Sequence, residues 1–294
     1  MTEPATIWTQ TLGCELRYWD AAGVRTRTME AGQGPVLFLL HGTGGHVEAF
    51  AKNMIPLAEH FRVVAVDMIG HGLTAKPDIE YVLPDYTQHL RDLMDAMGIA
   101  KAHWLGESLG GWVATWLALE SPERVNRLIN CTGGVFRWPE GEDPREAEER
   151  RNMVSKSQAL KELTRLNVRK RLEMLFHDPD DCTEELVDIR LALYSRPEMQ
   201  KVVGRLHHML PYDSPARAEY SLTEERLREI SVPTLYLWGE YNPGSSVASA
   251  TRAAEMTRDA ELVVLDDTAH WPQWEDPSGF DQAVVEFLSS VRSA

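Results

Sequence analysis

The segment Val36-Leu-Phe-Leu-Leu40 constrains the fold most. It is five apolar residues in a row, ending in His41-Gly42. Extended chain that is apolar on both sides has to be covered on both sides, so such a strand belongs inside a parallel sheet between layers of helix. Phe61-Arg-Val-Val-Ala-Val-Asp67 repeats the pattern. A helix is expected over residues 85–97, with Leu90, Leu93, Met94 and Met97 on one face and Gly98 as its stop. A strand at 102–105, a helix at 108–120 and a strand at 125–131 follow. This βαβαβ rhythm implies an open, mostly parallel sheet with right-handed crossovers. Ahead of it, residues 13–19 and 24–30 flank Asp20-Ala-Ala-Gly23 and read as a hairpin.

From residue 135 to 228 the pattern changes. The chain becomes rich in Arg, Glu, Lys and Leu, and helices are expected at 145–151, 158–175 and 184–193. The charge run from Glu140 to Arg151 reads as the solvated face of the first of them. Strand signals resume at Val232-Pro-Thr-Leu-Tyr-Leu-Trp238 and at 261–265, and a last helix is expected over 278–291. The expected fold class is α/β: a mostly parallel central sheet with helices on both faces, made by residues 1–134 and 229–294, and a helical cap inserted at 135–228. A chain of 294 residues suits one such core with an insertion.

The balance of 43% hydrophobic and 26% charged residues is that of a soluble globular protein. The net charge of −15 repels phosphate backbones and anionic bilayers, so neither nucleic acid nor membrane is an expected partner. A small-molecule substrate is expected, and a homodimer is left open. Cys14, Cys131 and Cys182 are far apart, odd in number and form no CxxC, which fits a reducing compartment rather than a disulfide framework. Residues 1–10 carry no basic segment and no apolar run, and a cytoplasmic location is expected. No G-x-G-x-x-G fingerprint or metal-ligand spacing is present, so no cofactor and no metal are expected.

Gly106-Glu107-Ser108-Leu109-Gly110 matches G-x-S-x-G between an expected strand and an expected helix, the context that motif needs. Its small residues permit a tight turn that lifts the Ser108 hydroxyl above the sheet, and the new helix turns its amide-rich end toward developing negative charge. The plainer reading is a Gly-rich turn with Ser108 as an N-cap. A hydroxyl nucleophile needs a base, and His270, just past the last expected strand, is placed where strand ends converge on a crevice. His41 and His71 sit in Gly-containing turns and read as structural, and His103 as a core residue. In His41-Gly-Thr-Gly-Gly45 the glycines, Gly44 among them, let the backbone approach a substrate; the amides of Thr43 and Leu109 are the candidate oxyanion hole. Trp271 beside His270 reads as a pocket wall. Trp112 and Trp116, at i and i+4 on the helix after Ser108, read as core.

Taken together, HGTGG at 41–45, DMIGHG at 67–72, GESLGG at 106–111 and AHWPQWEDP at 269–277 resemble the α/β-hydrolase superfamily over nearly the whole chain. Within it, the stretch from Asp67 to Asp78 and the His270-Trp271 pair are similar to the meta-cleavage-product hydrolases, which break a C–C bond in 2-hydroxy-6-oxo-hexa-2,4-dienoates. The resemblance implies Ser108 as nucleophile and His270 as acid/base. It also puts Arg190, in Leu186-Val-Asp-Ile-Arg190, where that family holds its substrate's carboxylate; the plainer reading is an arginine paired with Asp188. Two positions depart from the family. Glu107 stands where the nucleophile turn usually has Asn, and Asn242 stands where the triad acid should follow the strand ending at Gly239. The third triad residue is therefore Asn242, or Glu240 through a shifted loop; Asp266 and Asp267 are expected to point outward. The function implied is C–C bond hydrolysis. A carboxylesterase or lactonase is the alternative within the same chemistry, and a weakly catalytic ligand-binding receptor is the alternative from another class.

Overall fold

The structure is a computed structural model that describes residues 6–290 apart from 159, 161 and 212. The expected end of the last helix at 291 lies outside the described residues, as do residues 1–5 of the N-terminal segment and two positions of the helix expected at 158–175.

Eight strands form one sheet: β1 (Glu15–Ala21), β2 (Val24–Ala31), β3 (Val36–Leu40), β4 (Arg62–Val66), β5 (Ala102–Glu107), β6 (Val125–Cys131), β7 (Thr234–Gly239) and β8 (Ala260–Leu265). Their order is β1-β2-β4-β3-β5-β6-β7-β8. The β1–β2 hairpin is antiparallel, β2 pairs antiparallel with β4, and every later pairing is parallel. Helices cover both faces, so β3 is sealed: Leu37, Phe38, Leu39 and Leu40 have no exposed surface. Each such side chain contributes roughly 1.5–3 kcal/mol by leaving water. Phe38 stacks on Trp104 of the neighbouring strand at 4.3 Å between ring centroids. The chain leaves β3 to build β4 on one side, then returns to build β5 on the other. That reversal opens a crevice at the C-terminal ends of β3 and β5, the place where open α/β sheets hold ligands.

Behind the crevice a buried ion cluster fixes the loop after β4. Asp67 accepts from the Val47 and Leu73 amides at 2.8 and 2.6 Å and from Arg27 Nε at 2.6 Å. Arg27 in turn forks onto Glu48 with two 2.9 Å bonds. The carboxylate has no exposed surface, so these donors satisfy it.

The segment between β6 and β7 is helical: Pro144–Gln158, Arg165–Glu173, Glu184–Tyr194, Pro197–Leu206, Pro215–Tyr220 and Glu224–Glu229. The helix expected across 158–175 is shorter, because Thr164 caps a new helix by accepting from the Asn167 amide at 3.1 Å. Its leucines hide that break. The reading of Glu140–Arg151 as a solvated face is also corrected. Glu146 is 7% exposed and accepts from the Ser246 amide, the Ser246 hydroxyl and the Ser249 hydroxyl at 2.6–2.7 Å. Glu149 takes the Gly244 amide at 2.8 Å. Acidic residues on this helix thus cap the N-terminus of the Val247–Met256 helix and grip the loop after β7. Trp112 and Trp116 both donate their indole N–H to the Tyr220 carbonyl, at 2.8 and 2.7 Å, tying the inserted segment to the helix after β5.

Candidate active site

Five strand ends supply the site. The Gly106-to-Gly110 turn joins β5 to the Leu109–Glu120 helix, and Ser108 sits in it at φ 53°, ψ −115°. Such a backbone is strained for a residue with a side chain and is characteristic of functional turns. The Ser108 amide donates to the Cys131 carbonyl at 2.9 Å, which locks the turn to β6. The helix can start this close to the sheet because residue 110 is Gly: a Cβ there would lie 2.2 Å from the Leu40 carbonyl oxygen. Ser108 makes no N-cap hydrogen bond with its side chain, so the plain capping role is not what holds it there.

Ser108, His270, Thr43 and Leu109 line one cleft. The Leu109 amide opens the helix and has no acceptor within it. Thr43 follows the C-terminal end of β3 across the crevice. His270 follows β8. Its amide donates to the Leu175 carbonyl at 2.9 Å, and its carbonyl accepts from the Thr132 hydroxyl at 3.0 Å. One oxygen of Glu275 accepts from both the Ala269 and Trp271 amides, at 2.9 and 3.2 Å. The imidazole is therefore held from both sides of the chain. Burial, with a smaller contribution from the Arg171 charge, brings it down to about 3, so it is neutral at pH 7.

His270 Nδ1 lies 2.6 Å from Asn242 Oδ1. The Asn242 amide nitrogen donates to the Ser245 carbonyl at 2.7 Å, so Oδ1 is the atom left to accept. The proton is thereby placed on Nδ1 and the lone pair on Nε2. Glu240 is not brought to the imidazole: it is exposed and accepts from the Asp267 amide at 3.2 Å. Asp266 and Asp267 are exposed as well. The only carboxyl at the ring is Glu107, among the described residues. Its Oε1 lies 3.5 Å from Nε2.

His41, His71 and His103 are held in the fold away from this role. His41 and His71 have no exposed surface. His41 Nδ1 bonds the Gly42 carbonyl at 2.8 Å, and Nε2 accepts from the Met68 amide at 3.2 Å. His103, on β5, is 9% exposed and packs edge-on against Phe61.

Arg190 is not paired with Asp188, which bonds Arg165 instead. It is 3% exposed, its Nε and Nη2 have no hydrogen-bond partner among the described residues, and its guanidinium carbon lies 5.7 Å from the Tyr194 ring centre. A Cβ on Gly44, at φ 72°, would be 2.0 Å from the Tyr194 hydroxyl and 3.5 Å from Arg190 Nη1. Arg190, Tyr194 and the HGTGG loop therefore meet. Trp271 is 3% exposed and packs edge-on against Phe176 at 5.5 Å.

Sequence reasoning missed Arg171. It is 6% exposed, lines the cleft with Ser108 and His270, donates through Nε to the Ser157 hydroxyl at 2.8 Å and leaves Nη1 without a partner. Burial, with Arg190 nearby, brings it down to about 10. In Arg-Lys-Arg-Leu-Glu nothing distinguishes the arginine that turns inward from the arginine and lysine that do not.

The described residues include no cluster of three or more His, Cys, Asp or Glu placed to hold a metal ion, and no helix long and apolar enough to cross a membrane. The arrangement offers a strained hydroxyl, a neutral imidazole with its lone pair on Nε2, helix-start amides and two buried guanidiniums. Such a set can carry acyl transfer at a carbonyl.

The sequence pattern of the alpha/beta hydrolase fold matches residues 35–277. The chain is 29% identical over 281 residues to the 2-hydroxy-6-oxo-6-(2'-aminophenyl)hexa-2,4-dienoic acid hydrolase of Metapseudomonas resinovorans, covering 93% of this chain and 90% of that one. It is 30% identical over 279 residues to the 2-hydroxy-6-oxononadienedioate/2-hydroxy-6-oxononatrienedioate hydrolase of Burkholderia vietnamiensis, covering 92% of each. Among solved structures, a serine hydrolase involved in carbazole degradation superposes with a TM-score of 0.78 at 27% identity, covering 94% of this chain and 99% of that one.

Proposed function

This chain belongs to the α/β-hydrolase family, and from that premise we propose that it is a serine hydrolase that cleaves a C–C bond of a 2-hydroxy-6-oxo-dienoate. The observation that carries the substrate class is Arg190: a buried guanidinium with two unpartnered nitrogens, set against the glycine loop that faces Ser108. A buried cation left unpaired is costly, and a substrate carboxylate received bidentately removes that cost. Arg171, on the wall of the cleft with Ser108 and His270, adds to the local positive field that an acidic protein of net charge −15 needs to attract an anion.

In this reading His270 Nε2 takes the proton of Ser108 as Oγ attacks the substrate's C6 carbonyl carbon. The Thr43 and Leu109 amides receive the oxyanion, and collapse of that oxyanion breaks the C5–C6 bond as the proton passes to carbon. Water then releases the acyl group by the same route. Asn242 orients the imidazole but brings no charge to it.

A second reading, a carboxylesterase or lactonase, is favoured by Glu107, since its ionised form beside the nucleophile opposes an anionic substrate. A spectrophotometric panel separates the two. Dienoates of the 2-hydroxy-6-oxo type are expected to lose their visible absorbance on mixing with the protein. Turnover of neutral aryl esters or lactones, with every dienoate left coloured, moves the assignment to the second reading.

A further inference from the structure

Glu107 has no exposed surface, and neither carboxyl oxygen completes a hydrogen bond among the described residues. Its side chain lies against the HGTGG loop, where a Cβ on Gly42 would be 2.6 Å from Oε2. The Gly42 amide and the Trp271 indole are near enough to favour its charged form without closing a bond. A fully buried carboxyl without a satisfied partner is expensive, and such groups persist where they do chemistry. The titratable ring beside it is that of His270, whose Nε2 lies 3.5 Å from Oε1. On the other side of the ring, Nδ1 faces the neutral Asn242 amide, whose orientation is locked by Ser245.

We propose that Glu107 is a catalytic carboxyl of this site, supplying from the Nε2 side the negative charge that Asn242 does not supply at Nδ1. The proposal rests on the serine-hydrolase reading above. In the step concerned, the Ser108 Oγ–H bond breaks, its proton goes to Nε2, and the Oγ electron pair forms the bond to the substrate carbon. The imidazolium so formed faces the Glu107 carboxylate until the proton on Nε2 passes to the leaving atom. Atoms and charge balance within the protein and substrate.

The charged and titratable groups facing Glu107 come from three places: His270 after β8, Arg171 and Arg190 in the segment between β6 and β7, and Cys131 at the end of β6. Burial is the largest influence on Glu107 and raises it to about 8, against the opposing pull of the two arginines. At pH 7 it is therefore mostly protonated, and His270 is neutral, so the 3.5 Å contact is not a resting ion pair. The charged carboxylate is the working form, and turnover should rise as pH climbs through about 8. His270, down at about 3, Arg171, at about 10, and Cys131, well above its ordinary value, lie outside that window.

The test uses the full chain and a dienoate turned over by the wild type, with folding checked by circular dichroism. Glu107→Gln keeps size and shape. It is expected to lower kcat by about 10²-fold, below the ~10⁴ that removing a triad acid costs elsewhere, and to abolish the limb near pH 8. Adding Asn242→Asp to Glu107→Gln moves the charge to Nδ1 and is expected to restore at least tenfold of the lost kcat. A Gln variant that keeps the limb, or a double variant no faster than the single one, overturns the proposal. Ser108→Ala run alongside reports separately on the hydrolase reading: its failure to abolish turnover sinks that reading, whatever Glu107 does.

Discussion

Asn242 accepts from His270 Nδ1 at 2.6 Å while donating to the Ser245 carbonyl at 2.7 Å, and this pair of bonds decides the tautomer of the imidazole. An amide in this position does half of what an acid does. It fixes ring orientation and leaves the Nε2 lone pair toward the cleft, but it does not stabilise imidazolium. Asn242→Asp is therefore expected to leave the enzyme active and to raise kcat below pH 7, where Glu107 is neutral and an aspartate is charged. Glu240→Gln, at an exposed carboxylate bonded to a loop amide and not to His270, is expected to leave kcat within about twofold. Steady-state pH profiles of both variants check this; an Asn242→Asp enzyme slower than wild type across pH 6–9 refutes it.

Much of this site was legible in the sequence because its elements are short-range. The strand–Gly-x-Ser-x-Gly–helix context is written in consecutive residues, and strand ends in a parallel sheet bring Ser108, His270 and Asn242 to one edge whatever the loops do. What was not legible depends on which way a helix turns. Arg171 and Glu146 lie in charged runs that read as solvent-facing, yet one lines the cleft and the other caps a helix across the interface with the core. The helices Pro197–Leu206 and Pro215–Tyr220 are marked in the sequence by a proline at the first helical position, a start signal without a long apolar stripe behind it.

Ser108→Ala removes one hydroxyl from a turn whose backbone is held by the Cys131 carbonyl and the following helix. Turnover is expected to fall to below a few per cent of wild type, with the melting temperature shifted by no more than a few degrees. Single-turnover kinetics and a thermal melt read the two quantities independently. An active Ala variant removes the nucleophile role.

Gly44→Ala tests whether the loop, Tyr194 and Arg190 act as one unit. Residue 44 has φ 72°, where a Cβ costs roughly 1–2 kcal/mol, and that Cβ would meet the Tyr194 hydroxyl at 2.0 Å. The variant is expected to be less stable and to bind substrate more weakly as Arg190 shifts. Tyr194→Phe, which removes the clashing oxygen, should recover part of both losses in the double variant. Strictly additive effects on stability and KM show that the residues are uncoupled.

Asp281 sets a pH dependence of stability away from the site. Burial raises its carboxyl to about 7, although Asn53 donates to it at 3.0 Å. A group whose folded value lies above its unfolded one, about 3.9 for Asp, binds its proton more tightly when folded. The folded state therefore loses stability as pH rises from about 4 to 7 and regains none above it. Asp281→Asn is expected to melt higher than wild type at pH 8 and to show little difference at pH 4.5. Equal melting temperatures at pH 8 contradict the assignment.

Arg190→Ala separates grip from chemistry. Without substrate the guanidinium has two buried nitrogens that lack partners among the described residues, so a substrate carboxylate would meet free donors. A hydrogen bond to a charged group is worth roughly 1.5–3 kcal/mol, which corresponds to about ten- to a hundredfold in affinity. KM for a dienoate is expected to rise by that factor, with a smaller fall in kcat, if Arg190 holds the carboxylate equally in ground and transition states. Arg190→Lys should recover little, because an ammonium cannot reproduce the planar fork. The same substitutions should leave hydrolysis of a neutral aryl ester unchanged, or speed it, since the buried cation has nothing to receive there. A KM for the dienoate that does not move on truncation shows that the carboxylate is held elsewhere, and Arg171, with its unpartnered Nη1 on the cleft wall, is then the side chain to truncate next.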